Sequence, residues 1–441
     1  MRGVTGTDRR PVAVACALVS VLARASVSSA QTNYQSYPIG GRATGMGGAA
    51  TALAEDTAGA FYNPAGTAFA EGDSLSLSTS LYGVLGGQTV GAYGAGTSFS
   101  YASVNIVPSA TSSLMHVGRH DAAHPSPWVF GFNVFAPQSA RSEQRTTLHD
   151  GDTTVSVTSD ESTLLVGPSL AYRINDRLAV GVAVYGAYHS ASTDLDLTDT
   201  SGASQGASYI QRTANLTQSD LGAVFSLGAR WEPLRGFTVG LSVRTPTVPI
   251  LGSGTAFTRA VLIPAAGAGT MSVLAASDLE VETRSVMPAR IALGVAWARR
   301  GRFAVAADVA LYLPVTYTAF RSTADPSLDQ DVVHHAVVNC AVGVEYYLRP
   351  SIPLRAGFFT DLSPADVPTA AQGGEDHVSL AGGTLGVSFV SRHTSSQLGV
   401  VGAVGSATVA GVDLQRGTYD PRVSTGSQYR VFLVYSGAYS F

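Results

Sequence analysis

Through much of this chain large apolar side chains recur at every second position, with glycine, alanine or a polar residue between them. In Phe237–Arg244, Phe237, Val239, Leu241 and Val243 share one face; Thr238, Gly240, Ser242 and Arg244 share the other. Leu178, Val180, Val182 and Val184 oppose Ala179, Gly181 and Ala183, and Ile291, Leu293, Val295 and Trp297 oppose Ala292, Gly294 and Ala296. Phe303, Val305, Val309 and Leu311 likewise oppose Ala304, Ala306, Asp308 and Tyr312. Side chains alternate across a strand, so each segment has one greasy face and one small or polar face. A soluble sandwich would show the same alternation.

Three further features point to a membrane barrel. The segments run ~10 residues or more, the length a tilted strand needs to cross the hydrocarbon. Aromatic residues gather at segment ends, among them Trp231, Trp297, Tyr346, Tyr347 and Tyr439, where amphipathic rings suit the headgroup level. Short connections (Asn175-Asp176, Glu232–Gly236, Arg299–Gly301, Arg349-Pro350, Ser391–Thr394) alternate with long ones (Ser190–Ala214, Thr247–Glu280, Asp361–Asp376), as in outer-membrane barrels. A helical membrane protein is excluded, because the most apolar mature stretch, Ala260–Ala276, is broken by Pro264, Gly267 and Gly269.

Fourteen segments fit: 73–84, 106–118, 128–136, 153–174, 177–189, 216–232, 236–246, 283–298, 302–316, 332–348, 352–361, 377–391, 395–412 and 427–441. The expected fold class is all-β, a 14-stranded antiparallel transmembrane β-barrel. In the last segment Tyr429, Val431, Leu433, Tyr435, Tyr439 and Phe441 share a face. A terminal Phe441 is similar to the signal read by the bacterial barrel-assembly machinery, which makes that machinery an expected partner.

Arg2, Arg9 and Arg10, then the apolar stretch 11–23 and small residues at 28–30, read as a removable signal peptide over 1–30. A lipoprotein signal ending at Cys16 is the rival reading. After cleavage one thiol, Cys340, remains, so no disulfide framework is expected. Residues 31–72 do not alternate. They hold small residues, a helical stretch near Met46–Asp56, and Asn63-Pro64-Ala65-Gly66. That is the size and composition of a hatch folded into the lumen of a barrel formed by 73–441, although a flexible N-terminal arm would read similarly.

Composition removes other classes. Only 13% of residues are charged, against roughly 25% in soluble domains. The net charge of -4 leaves no basic stripe for nucleic acid. All 27 basic residues are arginine, so lysine-dependent chemistry is absent. No G-x-S-x-G, H-E-x-x-H or G-x-G-x-x-G stands in a strand–helix context, and no catalytic residue, cofactor or metal is expected. His116, His120 and His124 with Asp121 have helical ligand spacing, but Gly118 and Pro125 argue against a helix there. Asp150-Gly151-Asp152 is a weaker cation candidate.

Gly41–Ala49 (GRATGMGGA), Ala54-Glu55-Asp56 and Phe61-Tyr62-Asn63-Pro64-Ala65-Gly66 together resemble the N-terminal hatch of the FadL/TodX family of outer-membrane hydrophobic-compound transporters. The resemblance continues through Ser169–Asp176 with Leu178–Tyr188, through Leu241–Pro246, and through Pro288–Val295 and Gly343–Tyr346 with Leu354–Gly357. It implies uptake of long-chain fatty acids or aromatic hydrocarbons by capture in extracellular loops, passage through a plugged lumen and lateral release into outer-membrane lipid at a distorted third strand. By that resemblance the third strand is Trp128–Ala136. Phe130, Gly131 and Phe132 are its candidate lateral gate, with Gly131 the candidate bulge.

The capture-loop candidates are Leu262, Ile263, Met271 and Leu274; the companion loop 190–214 is mostly polar. A fatty-acid carboxylate would want a luminal arginine, and alternation turns Arg230, Arg244, Arg290 and Arg430 inward. The family's lysine contact cannot be present. The expected protein is a monomer of the bacterial outer membrane and not an enzyme. A non-transporting barrel acting as a secretion or assembly partner is the alternative, distinguished by whether an apolar pocket lies beside Asn63-Pro64-Ala65. A lipid-modifying enzyme would need Ser, His and acid groups clustered at the barrel rim.

Overall fold

The computed structural model describes residues 33–118, 126–148, 152–200, 207–264, 272–321, 329–369, 375–413 and 420–441. The leader, and with it the lipoprotein reading of Cys16, falls outside them. The strands are β1 (Ser74–Val90), β2 (Ser98–Val117), β3 (Trp128–Leu148), β4 (Thr153–Asn175), β5 (Leu178–Asp199) and β6 (Ala207–Leu234). They continue with β7 (Phe237–Arg244), β8 (Val248–Pro264), β9 (Ser272–Thr283), β10 (Arg290–Arg299), β11 (Phe303–Tyr312) and β12 (Val315–Arg321). The last are β13 (Gln330–His334), β14 (Val337–Arg349), β15 (Ile352–Asp361), β16 (His377–Val390), β17 (Thr394–Asp413) and β18 (Asp420–Ser440).

These eighteen pieces make a closed 14-stranded antiparallel barrel, because four staves are interrupted. The circuit runs β1 to β7, then β10, β11, β14 and β15 to β18, and β18 pairs back onto β1 from Ser74↔Ser440 to Val90↔Thr425. Strands β8, β9, β12 and β13 are upper halves, separated from β7, β10, β11 and β14 by breaks at 245–247, 284–289, 313–314 and 335–336. Three of these breaks contain proline (Pro246, Pro288, Pro314), which cannot donate to a ladder.

The alternation has the expected sense. Ile291, Leu293, Val295 and Trp297 are 38–56% exposed on the outer wall, while Ala292 and Ala296 face inward and are buried. The outward apolar face is what lipid covers, and each stave pairs with a neighbour on both sides over at least part of its length. Trp231 opposite Leu178, Trp297 opposite Phe237, Tyr346 opposite Phe303 and Tyr439 opposite Thr394 ring the short-turn end. There most connections between strands are two or three residues long, as at 176–177, 235–236 and 391–393, the one between β2 and β3 (118–127) being longer.

At the other end the structure differs from the sequence reading. Segments 190–199 and 207–214 are not loop but continuations of β5 and β6, paired from Ser190↔Ser219 to Asp199↔Ile210. Polar alternation there gives weak strand signal, yet the hairpin satisfies its backbone all the same.

Residues 33–72 lie inside the barrel, with helix α1 (Gly41–Gly45), helix α2 (Gly59–Tyr62) and a 3-10 turn at Pro64–Phe69. No helix forms at Met46–Asp56, contrary to expectation. Gly47 and Gly48, at φ 67° and 87°, turn the chain out of the helical region. The backbone beyond them is laid against the wall.

It fits there because the facing wall positions are glycines. A Cβ on Gly181 of β5 would sit 2.5 Å from Ala65 N, and one on Gly228 of β6 would strike Asn63 Oδ1. On Gly240 it would meet Thr51 O, on Gly294 Thr51 Cβ at 2.8 Å, on Gly343 Met46 O, and on Gly357 Gly47 N. The remaining stave, β11, puts Asp308 in this belt, and its Oδ2 accepts from Ala50 N at 2.9 Å and Thr51 N at 2.7 Å.

Substituting Gly240 by valine overpacks this contact at a cost of about 1–3 kcal/mol. The expected result in planar bilayers is ion-conducting steps absent from the native protein, with the barrel still heat-modifiable on gels. An unchanged, non-conducting variant would refute the belt as the seat of the plug.

Candidate functional site

The Asn63-Pro64-Ala65-Gly66 motif is a fastener. Asn63 Oδ1 accepts from Ala65 N (3.1 Å), capping the 3-10 turn, while Nδ2 donates to Thr51 O (2.9 Å) and to Ala229 O of β6 (3.0 Å). Pro64 follows at the first turn position, where no N–H is needed. A Cβ on Gly66 would collide with Ala54, so Ala54 packs directly beneath it. The motif is fully buried.

All four predicted arginines do face inward and are buried, but Arg230, Arg244 and Arg430 are turned onto the N-terminal segment. Arg230 Nη2 pairs with Glu55 Oε1 at 2.5 Å and its guanidinium lies 4.0 Å from the Phe69 ring centroid. Arg244 donates to Phe61 O at 2.8 Å and covers the Phe61 ring at 4.5 Å. Arg430 donates to Ser36 O (3.0 Å) and to Asp361 Oδ2 (3.3 Å). Arg290 lies 5.8 Å from the Tyr312 ring and lines a small cavity of ≈ 60 Å³ with Tyr62, Asp308 and Asp361. Two further arginines join this system: Arg42 (2.9 Å) and Arg355 (2.6 Å) both bind the buried Glu345.

The main lumenal cavity, ≈ 80 Å³, lies above this layer. Gln138 of β3, Ser159 and Glu161 of β4, His189 of β5, Gln218 of β6, Met287, Tyr317 of β12, His334 of β13, Glu375 and Tyr34 form much of its wall. Tyr34 stacks on Tyr312 (5.0 Å) and its hydroxyl is 3.0 Å from His334 Nδ1; His334 Nε2 is 2.6 Å from Glu375 Oε2. With Tyr34 donating to Nδ1 and Nε2–H donating to Glu375, every member is satisfied. Burial, with Glu375 and Tyr312 nearby, pushes the Tyr34 phenol well up from its usual value, so it stays a neutral hydroxyl. Below the cavity Phe61, Phe135, Tyr185 and Tyr62 form an aromatic cluster, with Phe61–Phe135 centroids 5.5 Å apart.

The barrel wall is incomplete between β2 and β3. Their ladder runs only from Val117↔Trp128 to Ala110↔Phe135. Above it β3 pairs with β4 alone, after a shift between Phe135↔Leu165 and Gln138↔Thr163 that leaves one extra residue on β3. The inward positions of β3 change from odd to even across this bulge. Phe130, Gly131 and Phe132 are regularly paired with β2 and β4, the two phenylalanines pointing outward. The irregularity thus sits at Ala136-Pro137, not at Gly131, whose missing Cβ instead makes room for Ser169 Oγ.

The unpaired β3 carbonyls are taken by the N-terminal segment: Tyr37 donates to Ala136 O (2.8 Å) and Ser36 N to Pro137 O (3.0 Å). Further up, Arg141 N donates to Asn105 Oδ1 (2.9 Å) across the gap.

Leu262 and Leu274 belong to the β8–β9 hairpin, where Leu262 pairs with Ser272 and Ala260 with Leu274, and Ile263 is exposed. Met271 lies outside the described residues. So do His120, Asp121, His124, Asp150 and Gly151; His116 instead bonds Asp73 at 3.0 Å. No grouping of metal-ligating side chains occurs among the described residues.

Comparison with known proteins decides the family. Residues 17–372 match the family described as outer membrane protein transport protein (OMPP1/FadL/TodX). The chain belongs to it. Its membership makes the protein an outer-membrane β-barrel of a hydrophobic-compound transport family, a channel family rather than an enzymatic one.

A Pseudomonas aeruginosa FadL homologue has a similar fold at 15% identity and TM-score 0.65, over 93% of this chain and 100% of that one. The P. putida toluene transporter TodX aligns at 17% identity and TM-score 0.61, over 92% and 99%. The Ralstonia pickettii toluene transporter TbuX aligns at 16% and 0.58, over 92% and 98%. No curated protein matches this chain by sequence.

Alanine at Asn63 removes a cap and leaves two buried carbonyls unpaired, a loss of about 2–4 kcal/mol to the seating of the N-terminal segment. Limited proteolysis of the folded Asn63→Ala barrel should then cut within residues 33–72 at least tenfold faster than in the native protein. Equal rates would contradict the fastener role.

Proposed function

We propose that this protein carries small hydrophobic molecules from outside the cell into the lumenal cavity and releases them sideways into the membrane between β2 and β3. Residues 33–72 act as the hatch in this reading. The observation that carries it is the bulge at Ala136-Pro137, where the β2–β3 ladder ends and the hatch itself supplies the missing donors.

A hydrophobic molecule leaving through such a gap enters hydrocarbon directly and avoids re-solvation, worth about 25 cal/mol per Å² of apolar surface. The gap opens when Tyr37 and Ser36 withdraw from β3. Gln138 Nε2 of β3 also donates to Asn33 O (2.6 Å), so residues 33–37 move away from β3 together. The TodX and TbuX barrels, whose described cargo is toluene, are consistent with a compact cargo here.

Three of the luminal arginines, Arg230, Arg244 and Arg430, serve as hatch anchors in this reading. Their charged groups are spent on Glu55, Phe61 O, Ser36 O and Asp361, and neither they nor Arg290 line the main cavity.

Deleting Pro137 removes the extra residue, lets the β3–β4 and β2–β3 ladders run on in register and keeps every upper side chain on its present face. Uptake of a radiolabelled monoaromatic hydrocarbon by cells carrying this deletion should fall at least tenfold at equal surface expression. Undiminished uptake would exclude the β2–β3 gap as the exit.

A further inference from the structure

The main cavity differs from a plain hydrocarbon pocket in the sign and state of its polar groups. Its apolar wall comes from Leu216, Val286, Met287, Phe320 and Val332. Two carboxyl groups, Glu161 and Glu375, open into the same space, and no arginine is among its lining residues. The chain has no lysine to supply a cation instead. Glu375 is engaged by His334. Glu161 is 9% exposed, and its Oε2 is buried with no hydrogen-bond partner among the described residues.

A buried carboxyl oxygen without a donor is a costly state that a ligand can relieve. The ligand that relieves it carries an N–H or O–H. A carboxylate ligand offers no donor and meets two carboxyl groups in a wall without arginine or lysine.

Building on transport through this lumen, we propose that the cavity selects molecules with an apolar body and a hydrogen-bond-donating, non-anionic head, such as protonated amines and phenols, and discriminates against fatty-acid anions. Glu161 is the specificity-determining residue. The apolar wall holds the body, and the head donates to Glu161 Oε2 between β4 and the hatch residue Tyr34. Sites built to pair a donor reject analogues lacking it far more strongly than an apolar wall discriminates by size.

The test is equilibrium binding by calorimetry to the full barrel in lipid nanodiscs, with empty nanodiscs subtracted. Two matched pairs serve as probes: octylamine against octanoate, and 4-propylphenol against propylbenzene. Octylamine should bind at least tenfold tighter than octanoate, and propylphenol several-fold tighter than propylbenzene. Glu161→Gln, which keeps the shape and an acceptor oxygen, should lose the amine preference and retain the phenol preference. Glu161→Leu should lose both while still binding propylbenzene.

Octanoate binding as tightly as octylamine, or preferences that survive Glu161→Leu, would overturn the assignment while leaving hydrocarbon transport intact. Absence of binding by all four probes would overturn the lumenal route as well. Should the leucine variant fail to fold, the glutamine variant alone decides, because only the proposed contact makes its two preferences separate.

Discussion

Backbone can lie against backbone only where no Cβ intervenes, and the closure of this barrel depends on that. Six staves present glycine at one height, Gly181, Gly228, Gly240, Gly294, Gly343 and Gly357, and the N-terminal segment from Met46 to Ala65 presses into them. Asp308 fills the one remaining place in that arc by accepting from two amides of that segment. The close fit explains why the arginines can be buried at all. A guanidinium removed from water needs acceptors, and the hatch backbone and Glu55 supply them at short range.

The first few described residues tie three features together. Within 33–37, Asn33 donates to Asp361 O and Val378 O, Tyr34 reaches the cavity through His334, and Ser36 and Tyr37 cover the gap in β3. Arg430 holds Ser36 O from below. On the proposed route a molecule in the cavity touches the same short stretch that spans the β2–β3 gap, and any coupling between occupancy and opening is set by the differential contact a ligand makes with the two positions of this stretch.

The barrel was readable in the sequence because lipid on one side and a small-residue lining on the other impose a strict period of two. Strands such as β5 and β10 carry that pattern over their full spanning length. The third strand was cut short at Ala136 for the same reason: the bulge inverts the pattern there, so the continuation to Leu148 was invisible to a rule that assumes unbroken alternation. The polar hairpin of β5 and β6 was missed because neither face meets lipid. The inward direction of Arg230, Arg244, Arg290 and Arg430 was legible, but their partners were not, since Glu55, Phe61 and Ser36 lie 175, 183 and 394 residues from the arginines they meet. The cavity group of Tyr34, Glu161, His334 and Glu375 had no local spacing to reveal it. Glu161, an acid on the inward face of β4, was the single available hint.

Hydrogen exchange at the Ala50 and Thr51 amides measures most directly whether the hatch is held against the wall as described. Both donate to Asp308 deep in the lumen, on a segment with no helix or strand of its own. The account predicts protection comparable to that of the central amides of β10 and β11 in the native barrel. Exchange at the rate of an exposed loop would mean that the hatch is not seated on the glycine belt, and the account of closure, anchoring and gated exit would be contradicted together.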